Sequence, residues 1–257
     1  VYFDQFEPPS CDEYDEILHI CSKRTANLLD LRNICQGERV IVVGDIHGYF
    51  NEFMSLLAKC EYRAGDIVVA TGDLVDRGPR IRETLQWFRD TPGAYSVEGN
   101  HDNKYRRHLI GNPVKIVNGL DCTIEQCADL DKTEWAAWFQ YLPQMIRIGD
   151  IGIKPTYVVH AGIDGGKSIY SQHVETCLYS RYLRGSDFYD DNNGVLWWET
   201  LDDTYNIIGG HIICEDPHPV NSAYCLDGGI CDGGVLRGMV IDGDGDDVMV
   251  HEVNSNG

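Results

Sequence analysis

Basic residues are scarce in this chain of 257 residues: 21 Lys and Arg stand against 41 Asp and Glu, for a net charge of −20. Such a surface repels long polyanions and anionic membranes, which argues against bulk nucleic-acid binding. No apolar run approaches the roughly 20 residues that span a bilayer, and no stretch has the apolar core of a signal peptide. The chain opens on Val1 rather than methionine, as a trimmed N-terminus would. The expectation is a cytoplasmic protein without a membrane partner. None of the ten cysteines, at 11, 21, 35, 60, 122, 127, 177, 214, 225 and 231, forms a CxxC pair. That excludes a disulfide framework and reads as free thiols in a reducing compartment, most of them small buried residues. There is no internal repeat, low-complexity tract or domain linker, so residues 1–257 are expected to form one domain.

Short apolar runs that end in polar turns organise the chain. Asp66 to Ala70 reads as a buried strand and runs into Thr71-Gly72-Asp73-Leu74-Val75-Asp76-Arg77-Gly78-Pro79. Two carboxylates three residues apart and an arginine thus stand at one strand end. Gly72 and Gly78 let the backbone bend, and Pro79 suits the first position of a following helix. Upstream, Arg39 to Val43 ends in Gly44-Asp45-Ile46-His47-Gly48. Downstream, Ala94 to Val97 ends in Gly99-Asn100-His101-Asp102. Tyr157-Val158-Val159 leads to His160-Ala161-Gly162, and Ile207-Ile208 to Gly209-Gly210-His211. Each turn offers oxygen or imidazole ligands. Ligands bind beyond the carboxyl ends of strands in open α/β sheets, so the five turns can converge on one site.

The remaining pattern supports an α/β protein. Phe50 to Lys59 and Ile81 to Phe88 carry apolar residues at helical spacing after the first and second turns, which implies a parallel sheet with crossover helices. Residues 10–20 and 22–34 are expected to be helices, part of a helical extension over residues 1–38. Residues 132–142 read as a helix with Trp135, Trp138 and Phe139 in the core. Strands are expected over 144–160, and helix or ordered loop over 168–184. From Asn206 to Val253, apolar runs alternate with glycine-rich turns, as expected of antiparallel strands. Lys104-Tyr105-Arg106-Arg107-His108 reads equally as a solvated helix face or as a phosphate-attracting patch beside the third turn. Asp242 to Asp247 reads as a hairpin turn rather than a calcium loop, because the twelfth position falls on Val253.

The ordered set GDxHG, GDxxDRG, GNHD, HAG and GH, spread from Gly44 to His211, resembles the calcineurin-like metallophosphoesterases of the phosphoprotein-phosphatase type. Within them the chain is most similar to the prokaryotic and phage branch, on Gly99-Asn100-His101-Asp102-Asn103-Lys104 and on the spacing from His211 to Leu226-Asp227-Gly228. That branch holds PrpE/ApaH-like dinucleoside tetraphosphatases, phage protein phosphatases and polynucleotide end phosphatases. The resemblance implies a two-sheet β-sandwich flanked by helices, with the site at the C-terminal ends of its strands.

It also implies two divalent transition-metal ions, manganese first, with iron, zinc or nickel as alternatives. Asp45, His47 and Asp73 would hold one; Asp73, Asn100, His160 and His211 would hold the other. A bridging carboxylate can hold two cations roughly 3.5–4 Å apart, and mixed oxygen and imidazole ligands suit such metals. A metal-activated water would attack phosphorus, Arg77 would grip the phosphoryl oxygens, and His101 would protonate the leaving group. Asp76 would orient His101 and raise its pKa. By weaker similarity Arg181, with Asn100, would contact substrate, and Asp227 would orient a ligand histidine from behind.

The motifs imply a phosphoesterase acting on small phosphorylated substrates or phosphoproteins. A dinucleoside polyphosphate ranks first, a serine/threonine or dual-specificity phosphoprotein second, and a 2′- or 3′-polynucleotide end third. An inactive binding module is the non-enzymatic alternative; it usually shows a lost ligand, and none is lost here.

Overall fold

The computed structural model describes residues 24–184, 187–189, 194–218, 221–245 and 247–255. Its elements in chain order are β1 (Leu28–Asp30), α1 (Arg32–Cys35), β2 (Val40–Val43), α2 (Phe50–Lys59), β3 (Ile67–Ala70), α3 (Ile81–Asp90) and β4 (Ala94–Ser96). Then come α4 (Asn100–Leu109), α5 (Leu120–Gln126), α6 (Lys132–Gln140), β5 (Met145–Ile151), β6 (Lys154–Val159), α7 (Val174–Tyr179), β7 (Tyr182–Arg184) and β8 (Asp187–Tyr189). The chain closes with β9 (Val195–Leu196), β10 (Asn206–Gly209), β11 (Ala223–Cys225), β12 (Asp227–Gly228), β13 (Val235–Ile241) and β14 (Val248–Asn254).

Two mixed sheets carry the fold. The first has the order β12-β13-β2-β3-β4, with β14 also on β13. Strands β2, β3 and β4 are parallel, and α2 and α3 make the crossovers between them. The second has the order β1-β5-β6-β10-β11. The sequence of β2, Val40-Ile41-Val42-Val43, is apolar throughout because both its faces are covered. Val40 and Val42 pack with Ile146, Ile148, Val158, Ile208 and Met239 between the sheets. Ile41 and Val43 face the other way, with Phe53, Leu56, Leu85, Trp135 and Phe139 of the helices. A third cluster, built on Tyr157, Val159, Ile207 and Trp197, covers the outer face of the second sheet. This is the helix-flanked two-sheet sandwich expected from the motifs, joined by a small antiparallel sheet of order β8-β7-β9.

Four expectations need correction. The helix expected over 22–34 is a strand and one helical turn over its described part: Leu28–Asp30 pairs in parallel with β5, and only Arg32–Cys35 is helical. An edge strand of three residues is too short to show a period. The last third is not antiparallel throughout, because β10 lies parallel to both β6 and β11. The loop from 210 to 222 is long enough to carry the chain back to the same end of the sheet. Helix α3 begins at Ile81, not at Pro79, because Arg80, at φ −136° and ψ 52°, still lies outside the helical region. The helix expected over 10–20 lies outside the described residues.

Residues 182–184, expected as helix or ordered loop, form strand β7. Trp135 and Phe139 are buried and Trp138 is partly buried against the same core, β13 and β14 pair as an antiparallel hairpin, and the eight described cysteines are free thiols. No described helix is long and apolar enough to cross a membrane.

Candidate active site

All five turns lie at one end of the sandwich, beyond the carboxyl ends of β2, β3, β4, β6 and β10. Backbone hydrogen bonds knit them together. The His47 N–H donates to the Asp73 carbonyl at 2.8 Å, the Gly78 N–H to the His47 carbonyl at 2.9 Å, and the Gly210 N–H to the His160 carbonyl at 2.7 Å. Five side chains of the site sit on left-handed backbone: His47 at φ 47°, Asp73 at 50°, Asp76 at 71°, Arg77 at 70° and His211 at 64°. Such conformations cost on the order of 1–3 kcal/mol each and persist where surrounding structure imposes them. Two glycines allow the turns to touch. A Cβ on Gly99 would stand 2.1 Å from Asp73 Oδ1, and one on Gly210 would stand 1.9 Å from Asp45 Oδ1.

The carboxylates at the centre are buried and oriented from distant turns. Asp45 accepts the His211 N–H on Oδ2 at 3.0 Å and the Thr71 hydroxyl on Oδ1 at 2.9 Å. Asp73 accepts the His101 N–H on Oδ1 at 3.0 Å. Its Oδ2 lies 3.6 Å from His47 Nε2 and 3.9 Å from His101 Nε2, and its Oδ1 lies 3.5 Å from His160 Nε2. Burial, then the charge of Asp227, pushes the Asp45 carboxyl well above its ordinary range; burial, then Asp102, does the same to Asp73. Burial first, and Arg77 second, holds His47 well below its ordinary value. Burial and Arg181 lower His211 in the same way. Neutral imidazole is the form that binds a metal.

The donor set fits divalent cations. His47 Nδ1 lies 2.7 Å from the Val75 carbonyl. A proton there leaves the Nε2 lone pair facing Asp73. His160 is more telling. Its Nδ1 faces the Thr71 carbonyl at 2.9 Å and its Nε2 faces Asn100 Oδ1 at 2.8 Å, both acceptors. The single proton of a neutral imidazole serves only one of them. A cation taking the Nε2 lone pair and the amide oxygen removes the conflict. Two groups, His47–Asp73–His101 and Asp45–Asp73–His160, have ligand atoms within 4.8 Å of one another and can hold a metal. Asp73 belongs to both, as a bridging ligand must. The grouping differs from the sequence expectation in setting Asp45 with His160 and in bringing His101 to the rim of the other group. His211 stacks edge-on to His160 with ring centroids 5.0 Å apart.

Beside the centre, His101 Nδ1 lies 2.6 Å from Asp76 Oδ2, and the Thr123 hydroxyl donates to Asp76 Oδ1. Burial pushes Asp76 up to about 7. His101 is held well below its ordinary value by burial and then by Arg77. The sequence expectation, that Asp76 raises the His101 pKa, is therefore corrected: desolvation and a neighbouring cation outweigh one carboxylate. The Arg77 guanidinium stands 3.5 Å from His101 Nε2.

The weaker candidates also reach this end of the molecule. Arg181 Nε lies 3.4 Å from His211 Nε2. Asp227 is buried and accepts the Gly229 N–H at 2.9 Å; among the described residues no hydrogen bond joins it to His160 or His211, and burial raises its carboxyl above the ordinary range. The basic run after the third turn divides. Lys104 is buried, with Nζ 3.3 Å from the Val117 carbonyl. Arg106 is bonded to Glu98 at 2.9 Å and to Gln140 at 3.0 Å.

Sequence reasoning missed three supporting side chains. Asp102, fully buried, takes the Leu74 N–H and the Gly99 N–H, each at 3.0 Å, and so pins the second turn to the third. Its place in the first turn of α4, after Gly99, was the available signal. Thr71 and Thr123 carry no such signal, since nothing local marks a threonine as a partner of a remote carboxylate.

The chain matches the family described as "Calcineurin-like phosphoesterase" over residues 38–230. It is 31% identical over 222 residues to the Bacillus subtilis bis(5′-nucleosyl)-tetraphosphatase PrpE [asymmetrical], covering 77% of this chain and 88% of that one. The protein of the same description from Bacillus velezensis is 33% identical over 219 residues, with 77% and 87% covered. A crystal structure whose protein is proposed to be a diadenosine tetraphosphatase superposes with a TM-score of 0.73 at 27% identity, covering 90% of this chain and 100% of that one. A protein serine/threonine phosphatase from Saccharomyces cerevisiae shares the fold, with a TM-score of 0.62 at 14% identity over 95% of this chain and 90% of that one.

Proposed function

The chain belongs to the calcineurin-like phosphoesterase family, and from that premise we propose that it hydrolyses dinucleoside polyphosphates such as diadenosine tetraphosphate at a two-metal centre. The substrate reading is supported by the 31–33% identity to asymmetrical tetraphosphatases. The observation that carries the chemistry is Asp73, shared by two buried ligand groups, with the His101–Asp76 pair alongside.

Asp45, His47, Asp73, Asn100, His160 and His211 would hold the cations, with Asp73 common to both. Manganese suits this donor set, as iron, zinc and nickel do. When bound, the cations supply an activated water and neutralise phosphate charge. The protein's own groups do the rest. Arg77 grips phosphoryl oxygens with its planar fork, and Arg181, against His211, extends the same face. In the free site His101 Nε2 faces the Arg77 guanidinium and is best served as an acceptor. An incoming phosphate draws Arg77 onto its own oxygens and brings negative charge to Nε2, which raises the proton affinity there. Nε2 then protonates the leaving oxygen, while Asp76 keeps Nδ1–H in place and Thr123 keeps Asp76 in place.

The test is turnover of diadenosine tetraphosphate, a phosphopeptide and a 3′-phosphorylated oligonucleotide side by side with manganese, with products separated by chromatography. The tetraphosphate is expected to be fastest and to be cut off-centre, giving a nucleoside mono- and triphosphate. A faster phosphopeptide would move the assignment to phosphoprotein.

A further inference from the structure

Exposed aliphatic side chains are ordinary on a protein surface. Ile116 and Val117, 56% and 44% exposed, are set apart by their place in the fold. They lie in the loop between α4 and α5. Val114 of the same loop packs against the core cluster of Phe53, Leu85 and Trp135, whereas Ile116 and Val117 are left to solvent.

Three anchors tie this outward pair to the residues beside the metal ligands. The Val117 carbonyl accepts Lys104 Nζ at 3.3 Å. Lys104 follows His101 by three positions on α4, so the two share a helix face. Gly119 lies against the backbone of Arg77: an added Cβ would stand 2.4 Å from Arg77 N and 2.9 Å from its Cα. Gly119 is also the residue from which α5 starts. That helix carries Thr123, whose hydroxyl oxygen accepts the Asp76 N–H at 2.9 Å. The pair is thus held in register with Arg77, Asp76 and His101 by backbone and hydrogen-bond contacts. Asn118 at φ 60° and Gly119 at φ 90° are both left-handed, and the Leu120 N–H closes the turn on the Val117 carbonyl at 3.4 Å. A surface built in this way is formed before a ligand arrives, so little ordering is lost on binding.

A dinucleoside polyphosphate joins a charged chain to flat bases whose faces are poorly hydrated. Methyl groups beside the phosphate site shelter such a face from water and leave the phosphates to the cations and arginines. We propose that Ile116 and Val117 form an apolar ledge for the nucleoside carried on the phosphate chain held at Arg77, and are specificity-determining residues for nucleotide substrates. The inference rests on the reading of the substrate as a dinucleoside polyphosphate.

The experiment compares manganese-loaded wild type with two paired variants. Ile116→Ser with Val117→Ser removes the apolar surface, and Ile116→Val with Val117→Ile keeps it. KM and kcat are read on diadenosine tetraphosphate, on a phosphopeptide, and on inorganic tripolyphosphate, which has phosphoanhydrides but no nucleoside. The serine pair is expected to raise KM for diadenosine tetraphosphate about 3- to 10-fold, the weight of a few methyl groups, with a smaller change in kcat. Its KM for tripolyphosphate is expected to stay at the wild-type value, as are its metal content and melting temperature, since both side chains are exposed. The valine–isoleucine pair is expected to match wild type on all three substrates. An unmoved KM for diadenosine tetraphosphate, or an equal rise on tripolyphosphate, overturns the proposal. A rise confined to the phosphopeptide gives the ledge to a peptide side chain and overturns it as well. Wild-type enzyme that turns over tripolyphosphate as readily as diadenosine tetraphosphate would sink the dinucleoside reading itself. A wild-type preference for the nucleotide that survives undiminished in the serine pair sinks only the ledge.

Discussion

His101 Nδ1 and Asp76 Oδ2 stand 2.6 Å apart, although one residue opens a helix and the other lies in a turn 25 positions earlier. The contact fixes which nitrogen of His101 faces the centre, since a proton held at Nδ1 leaves Nε2 to meet the substrate. His101→Ala is therefore expected to slow alkyl phosphates by about 10²- to 10⁴-fold, and phosphoanhydrides and p-nitrophenyl phosphate much less, because a departing phosphate and nitrophenolate both leave without a proton. The measurement is kcat/KM across esters of graded leaving-group pKa. Equal losses across the series would assign His101 to another task.

Asp73 is the carboxylate common to both ligand groups. Asp73→Asn is expected to lose bound metal and nearly all activity. Elemental analysis of purified protein checks the first and steady-state kinetics the second. Full metal content in an inactive variant would place Asp73 outside the ligand set.

Arg77→Ala is expected to cost more activity than Arg181→Ala, with metal content unchanged in both. Arg77 stands on the backbone turn that also carries Asp73, whereas Arg181 meets the centre at His211, 3.4 Å away. Arg77→Lys is expected to recover only part of the loss, because one ammonium cannot reproduce a two-point grip. A fully active lysine variant would refute that geometry.

Thr123→Val tests a residue with no motif. Its hydroxyl donates to Asp76 Oδ1 and accepts the Asp76 N–H at 2.9 Å. The valine variant keeps the volume and loses both bonds, so a destabilisation of about 1–3 kcal/mol is expected. Chemical denaturation measures it. Activity is expected to fall with metal content intact.

Gly210→Ala would set a methyl 1.9 Å from Asp45 Oδ1. Either the turn moves or the carboxylate does, and both disturb the centre. Metal content and activity are expected to drop together. A variant that keeps both would show that the turn has room to yield.

The sequence by itself determined which candidate site residues stand together and the end of the sheet on which they stand. Asp45, Asp73, Asn100, His160 and His211 each follow a short apolar run, and a run with a glycine turn behind it is readable within ten residues of chain. The long helices α2, α3 and α6 were legible for the same reason: their apolar period repeats often enough to be unmistakable. Only the tertiary structure decided how these pieces meet. The three residues of β1 show no period, so their strand exists only because β5 offers an edge. The parallel pairing of β10 and β11 depends on how a long loop runs back across the sheet, which no local pattern encodes. The His101 pKa was misjudged because desolvation depends on every element packed around the ring, and proximity in sequence reports only Asp76. Thr123 lies 47 residues from Asp76 and shares a hydrogen bond with it. Bonds of that kind are fixed by packing across the whole fold, in which a threonine looks like any other until its neighbour is known.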